Sequence, residues 1–191
     1  MTYSSCPKSL LKEFLDIWDN HGRATGQVCD KNFAHQNGLF HPTVHIWFYT
    51  FTPTLLMQKR GPFKQTYPNL WDVSVAGHVS AGESVLEGAV REIKEEIGLN
   101  ILPSELKLIA VRKNVNEFSN GIKDCEFQHV FLSPLTLQAQ ELKLQTAEVQ
   151  AVRLFSFDEI NQCMNQNHPD YDIVPADMTY YKFVMDEVLK L

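Results

Sequence analysis

The segment from Gly77 to Leu99 constrains this chain more than any other. It gathers five carboxylates (Glu83, Glu87, Glu92, Glu95 and Glu96) around one arginine, Arg91, between two glycine-marked turns. Val85, Leu86, Ala89, Val90, Ile93 and Ile97 recur at i, i+3 and i+4 spacing, which predicts a helix with one buried stripe. At about 100° per residue, Glu92, Glu95 and Glu96 share the adjoining arc, with Glu96 close to Ala89 at the edge of the stripe. Glu87 and Lys94 fall on the far face. The fold must therefore bury one flank of a helix whose neighbouring flank is dense with like charge.

Carboxylates at these spacings repel each other, and more strongly where burial weakens screening. They also occupy the last turns of the helix, where the dipole disfavours anions. A bound cation offsets both costs, and oxygen ligands of this kind suit Mg²⁺ or Mn²⁺. A solvated acidic face is the competing reading for a bare E-x-x-E-E. The wider pattern weighs against that reading. Gly77, Glu83, Arg91, Glu92, Ile93, Glu95, Glu96, Gly98 and Leu99 fill every defined position of G-x5-E-x7-R-E-U-x-E-E-x-G-U, where U is a bulky aliphatic residue. This pattern is the Nudix box. The resemblance implies an α/β fold, the Nudix α/β/α sandwich with a mixed β-sheet and a catalytic loop–helix–loop. It also implies cleavage of a diphosphate linked to another group, X. By the same resemblance Glu92, Glu95 and Glu96 hold divalent metal, the Gly77 carbonyl is a further ligand, and Glu83 and Arg91 brace the loop–helix–loop.

Composition sets the remaining bounds. A chain of 191 residues suffices for one domain with a sizeable core. Its 44% hydrophobic and 21% charged residues are ordinary for a globular protein. The net charge of −6 and the lack of a basic run give no support to nucleic-acid binding. Cys6, Cys29, Cys125 and Cys163 lack C-x-x-C spacing, which argues against zinc or a disulfide framework and fits a reducing cytoplasm. Neither a signal peptide nor a membrane-spanning apolar run is expected. A homodimer is left open.

Along the chain, residues 1–12 read as a lead-in to a single domain over 1–191. Glu13–Trp18 and Gly26–Asp30 are expected to form a hairpin about Asn20-His21-Gly22. His41–Phe51 is a strand rich in β-branched and aromatic residues, with Leu55–Arg60 as its partner. Trp71–Ala76 is expected to run as one strand into the box. Further strands are expected at Leu106–Asn114, Glu126–Leu132 and Val149–Phe155, and helices at Phe157–Asn165 and Ala176–Leu191.

Segments from about Glu13 to Phe155 are also similar to the isopentenyl-diphosphate isomerase branch of the same superfamily. Gln58-Lys59-Arg60 followed by Lys64 matches the place where that branch sets an Arg and a Lys on the diphosphate. Pro68-Asn69-Leu70-Trp71 matches its P-G-x-W, and Ser74-Val75-Ala76-Gly77-His78 its S-V-C-G-H. His35 and His41 match two metal-ligating histidines, with a one-residue spacing change that makes His35 the weaker candidate. Glu126, two residues after Asp124, matches an E-x-E that carries a metal ligand and a catalytic acid. The resemblance thus adds His41 and His78 as metal ligands and Arg60 and Lys64 as diphosphate ligands. His45 has no counterpart role. Trp47 and Trp71 are candidates for the wall around X, with core packing the simpler reading.

Ala76 breaks the match. The isomerase needs a cysteine there for proton transfer, and alanine has no titratable group. Cys125, on a strand between Asp124 and Glu126, points to the opposite face. The expected activity is therefore Mg²⁺- or Mn²⁺-dependent hydrolysis of a small-molecule diphosphate. Glu95 and Glu96 are expected to serve catalysis, with Glu96 or Glu126 as the base. The alternatives are an isomerase-like enzyme and a non-catalytic diphosphate-binding module.

Overall fold

The computed structural model describes residues 12–175 and 178–191. The expected lead-in lies outside the described residues except for Lys12, as do Ala176 and Asp177 at the start of the expected last helix.

Strands β1 (Phe14–Trp18) and β2 (Ala24–Asp30) form an antiparallel hairpin, followed by the short helix α1 (Lys31–Asn37). The main sheet is built around β3 (His41–Tyr49). Its other strands are β4 (Thr54–Arg60), β5 (Trp71–Asp72), β6 (Val75–His78), β7 (Lys107–Glu117), β8 (Lys123–Pro134) and β9 (Val149–Ser156). Helix α2 (Val85–Ile97) follows β6, α3 (Phe157–Met164) follows β9, and α4 (Met178–Val188) comes last. β3 runs parallel to β8 from His41↔Glu126 to Tyr49↔Pro134, and β8 pairs antiparallel with β7. A parallel pair needs a long crossover, and the box helix α2 lies on that connection.

Side-chain alternation divides the core into two layers. Val44, Ile46, Phe48, Leu56 and Phe131 face α2, where Ala89, Ile93 and Ile97 are fully buried. Trp47, Leu55, Met57, Val130 and Leu132 face the opposite side, against α3 and α4. Burying each large aliphatic side chain contributes about 1.5–3 kcal/mol. Trp47 and Trp71 both belong to the second layer, so core packing is their role.

One strand expectation is narrowed and one is corrected. Leu55–Arg60 is the antiparallel partner of β3, but the two meet only at Tyr49↔Leu55, and β4 pairs along its length with β9. Trp71–Ala76 is not one strand, because β5 pairs with β4 whereas β6 pairs with β3 over Thr43–Ile46. Ser74, at the break, explains both. Its buried hydroxyl accepts from the Phe48 amide at 2.9 Å and donates to the Leu56 carbonyl, so it sits between β3 and β4 and holds them apart. Periodicity alone carries no record of such a wedge. The β-hairpin, the expected strands after the box and both C-terminal helices are otherwise present, with ends displaced by a few residues.

Helix α1 was not expected, although its caps are readable. Asp30 accepts from the amides of Asn32 and Phe33, and Gly38 closes the helix in the left-handed region at φ 61°. Helix α2 ends at Gly98 in the same way, at φ 70°. Its last carbonyls are covered by another segment: Lys143 N–H donates to Ile97 O and Gln145 N–H to Glu96 O, both at 2.9 Å. A Cβ at position 98 would lie 2.7 Å from Lys143 Cβ and 2.9 Å from Lys143 O. Gly98→Ala is therefore expected to cost about 1–3 kcal/mol through backbone strain and overlap. Denaturant melts measure it, and a midpoint equal to wild type would contradict this account of the helix end.

Candidate active site

The site begins at the start of α2. Ser84 caps the helix, with Glu87 N–H donating to its hydroxyl and the Glu87 carboxylate accepting from Ser84 N–H, a reciprocal capping box. Glu87 thus has a structural task that its place on the far face did not reveal, although S-x-x-E was there to be read. One turn on, Arg91 distributes its guanidinium over three partners. Nε donates to Glu83 Oε1 and Nη2 to Glu83 Oε2, both at 2.9 Å. Nη2 also reaches the His78 carbonyl at 2.9 Å, and Nη1 reaches Glu92 Oε1 at 2.6 Å. Glu95 lies 3.5 Å from Nη1. One planar cation therefore ties the loop before the helix, the end of β6 and the acidic face together.

Glu92 and Glu96 turn toward the sheet. A Cβ at position 77 would lie 2.2 Å from Glu92 Cδ, so only glycine lets that carboxyl approach β6. Glu96 is 4% exposed. Its Oε2 accepts from Gln58 Nε2 at 2.9 Å and from Ala76 N–H at 3.3 Å. Gln58 lies on β4 and Ala76 on β6, two strands that share no ladder, so Glu96 sits where the Ser74 wedge has opened the sheet. Burial pushes its carboxyl up to about 8, against the opposing pull of Lys64. Burial also raises Glu92, against Arg91. Two neighbouring acids thus pay for desolvation without a full countercharge.

Histidines converge on the other side of β6. His35 on α1, His41 at the start of β3 and His78 at the end of β6 bring ligand atoms within 4.8 Å of one another. His35 Nε2 and His78 Nε2 are 3.2 Å apart. Two carboxylates flank the group, Asp124 Oδ1 at 3.7 Å from His35 Nδ1 and Glu13 Oε1 at 3.7 Å from His78 Nδ1. Burial lowers all three imidazoles, His35 to about 4, and so favours their neutral, ligating form. Burial raises Asp124 to about 6, with Glu126 adding to the shift. His35 was ranked weakest because of its spacing, and the structure revises that. The cap pair Asp30 and Gly38 builds a helix that carries it inward, which linear spacing does not encode.

Glu126 is the register neighbour of His41, is raised by burial, and accepts from Gln128 Nε2 at 2.8 Å. Arg60 lies on β4, paired to Asp72 at 2.7 Å and bonded to the Thr66 carbonyl. Lys64, in the following loop, pairs with Glu148. Each of these two cations already has a carboxylate partner, and neither Asp72 nor Glu148 was singled out in the sequence.

The donor set suits a divalent cation on two observations. Glu96, buried, and Glu92, half-buried, are acids that burial holds above their ordinary ionisation. His41 Nε2 and Asp124 Oδ1 are buried with no hydrogen-bond partner. Residues able to hold one cation are Glu92, Glu95, Glu96 and the Gly77 carbonyl, and His35, His41, His78 and Asp124 are able to hold another.

The NUDIX domain model matches residues 39–176, and the chain belongs to the Nudix family. The class this defines is a hydrolase acting on phosphoric anhydride bonds. An uncharacterised Nudix hydrolase of Clostridium acetobutylicum is 34% identical, the match covering 91% of this chain and 96% of the relative. The isopentenyl-diphosphate Delta-isomerase of Pectobacterium atrosepticum is 28% identical over 76% of this chain and 78% of its own. Among solved structures, a protein of Deinococcus radiodurans superposes with a TM-score of 0.66 at 18% identity, covering 90% of this chain and 98% of that one. This last likeness bears on the fold, an α/β sandwich about a mixed sheet.

The acid shifts have a consequence for stability. Glu96 holds a proton in the folded state that the unfolded chain releases near 4.5. The unfolded state therefore binds fewer protons between about 4.5 and 8, and this group's contribution to stability falls as pH rises through that window. The metal-free Glu96→Gln variant, which has nothing to ionise there, should gain stability over wild type between pH ~5 and ~8, by an amount on the order of a few kcal/mol. Thermal melts in chelator read the difference, and a pH-independent gap would contradict it.

Proposed function

We propose that the protein is a Mg²⁺- or Mn²⁺-dependent diphosphohydrolase that hydrolyses a small molecule carrying a diphosphate linked to a group X. The observation that carries this reading is Glu96. An acidic face held by Arg91 places the Glu96 carboxyl, buried, between β4 and β6, where desolvation outweighs the hydrogen bonds from Gln58 and Ala76 and raises it to about 8. Glu92, Glu95, Glu96 and the Gly77 carbonyl would hold a divalent cation, which would supply positive charge against the diphosphate oxygens and acidify a nearby water.

The chain's own groups do the rest. Arg60 and Lys64 exchange Asp72 and Glu148 for phosphate oxygens, Arg60 through its fork and Lys64 as a point charge. Charge that develops on the phosphate is stabilised by these two cations. Glu96 or Glu126 accepts the proton as the water oxygen bonds to phosphorus and the bridging P–O bond breaks. Gln128 keeps Glu126 oriented through its 2.8 Å hydrogen bond. The products are X-phosphate and phosphate, or the equivalent split. His41 and His78, joined by His35 and Asp124, form a second cation site on the other side of β6.

Ala76 weighs against isomerisation, because a methyl group neither gives nor takes a proton. The intact set of box glutamates weighs against a binding module without catalysis. No helix among the described residues is long and apolar enough to cross a membrane. Cys29, Cys125 and Cys163 are free thiols, which supports our assignment to a reducing, cytoplasmic compartment. A homodimer is compatible with the site, which draws its residues from one chain.

A substrate panel tests the reading, with phosphate release and product mass as readouts. Release is expected with Mg²⁺ or Mn²⁺ and none in chelator. Glu95→Gln and Glu96→Gln should each lower turnover at least ~100-fold. Wild-type rates in both variants, or solvent proton exchange into isopentenyl diphosphate, would overturn it.

A further inference from the structure

His45 is the histidine for which the sequence offered no task. It lies on β3 beside Ala76 and on the same sheet face as His41. Four residues along the strand set it about 13 Å from His41, but only about 7 Å from the level of His78, whose register partner is Thr43. The ring turns toward α4, while its register partner Ala76 gives its amide to Glu96. It is only partly buried, as are Ala76 and Arg112, whereas Trp47, Val130 and Leu132 on the same face are closed off.

A short chain of hydrogen bonds fixes its tautomer. Trp47 Nε1–H, which can only donate, reaches Tyr180 Oη at 2.9 Å. The Tyr180 hydroxyl therefore accepts from Trp47 and has its own proton to give. His45 Nδ1 is 2.9 Å from the same oxygen, and we assign it as the acceptor of that proton. In that tautomer the ring proton of neutral His45 is on Nε2, for which no hydrogen-bond partner is found among the described residues. Burial, by pushing His45 down to about 4, keeps the ring in this neutral form at ordinary pH.

A second donor stands next to it. The Arg112 guanidinium lies 3.9 Å above the Tyr180 ring. Its Nη1 makes one long contact, 3.4 Å to Gln128 Oε1, and it has no ion pair among the described residues. Gln128 in turn holds Glu126, so this corner is continuous with the proposed catalytic acids. One face beyond the diphosphate site thus offers an imidazole N–H and a guanidinium fork that is held only by Tyr180 and by one long contact to Gln128.

We propose that His45 and Arg112 form the subsite for X, with Tyr180 as a positioning residue, and that they select an X rich in oxygen acceptors over a hydrocarbon X. The inference rests on the diphosphohydrolase reading for the location of the diphosphate. The physical reason is the cost of burial. A prenyl chain laid across this face would strip water from both donors and return nothing, whereas hydroxyl, carbonyl or anionic oxygens would pair with them. Sites built to hydrogen-bond a polar group reject analogues that lack it far more strongly than apolar pockets discriminate by size.

The test is binding to the full-length protein in Mg²⁺ by calorimetry, in a Glu95→Gln background so that ligands survive. ADP-ribose and UDP-glucose stand for acceptor-rich X, isopentenyl and geranyl diphosphate for hydrocarbon X, and inorganic diphosphate for no X. The better polar ligand is expected to bind at least ~10-fold more tightly than either prenyl diphosphate. His45→Phe and Arg112→Met should each collapse that ratio while leaving inorganic diphosphate affinity unchanged, and His45→Gln, which restores a donor, should recover part of it. Tyr180→Phe should act like a milder His45→Phe. A purely structural role would lower stability and weaken all ligands alike. A ratio near one in the parent, or a ratio unmoved by His45→Phe, overturns the proposal. Phosphate release by the wild-type protein is measured in parallel. If it is absent while the binding ratio persists, the hydrolase reading falls and the subsite stands.

Discussion

The rest of the site depends on Arg91. Its guanidinium is shared among Glu83, Glu92 and the carbonyl of His78, so it joins the loop before α2, the helix itself and the end of β6. Without that cation the acidic face would repel itself and the strand end that carries His78 would lose its hold on the helix. Arginine rather than lysine suits the position, because three acceptors in different directions need a planar fork. The helix is also fixed at its ends by chemistry rather than propensity alone: the Ser84–Glu87 box at one terminus, and Gly98 with the 143–145 segment at the other.

Around this brace the sheet is deliberately imperfect. Ser74 satisfies one amide of β3 and one carbonyl of β4 with a single hydroxyl, and so prevents the two strands from pairing along their length. The opening admits Glu96 from the helix side, where Gln58 and the Ala76 amide meet it. On the opposite side of β6 the histidines assemble. One four-residue strand therefore separates two polar clusters, with Gly77 facing Glu92 and its neighbours Ala76 and His78 facing away. Burial raises Glu92 and Glu96 and lowers the imidazoles. A divalent cation would reverse the first shift and use the second.

Much of this was legible in the residues. The apolar stripe of α2, the acids beside it and their glycine limits follow from helix geometry, and the box spacing turned them into a family. Strand and helix existence outside the box was also readable, since period and composition are local properties. Errors arose where an outcome depended on residues distant in sequence. The β3–β4 pairing is present but confined to Tyr49↔Leu55, and the unbroken Trp71–Ala76 strand, reasonable from alternation, is split at Ser74. His35 was undervalued because its helix is short, and only its Asp30 and Gly38 caps announced it. Arg60 and Lys64 were found, but not the Asp72 and Glu148 that hold them, since partners across a fold leave no mark at fixed spacing. Trp47 is a core residue, as the simpler reading had it, and its indole N–H reaches Tyr180 on the distant last helix.

By itself the sequence determined the helix that carries the acids, the residue types available for a cation and a diphosphate, and the absence of a titratable group at Ala76. These are consequences of spacing along one continuous segment, where helix geometry converts position into direction. Only the tertiary structure decided that Glu96 is buried between two strands that share no ladder, that three histidines from separate elements converge, and that His45 meets Tyr180. Those outcomes rest on desolvation and on hydrogen-bond partners as much as 135 residues away. No local pattern sets either quantity, because burial and partner choice exist only once the layers have packed.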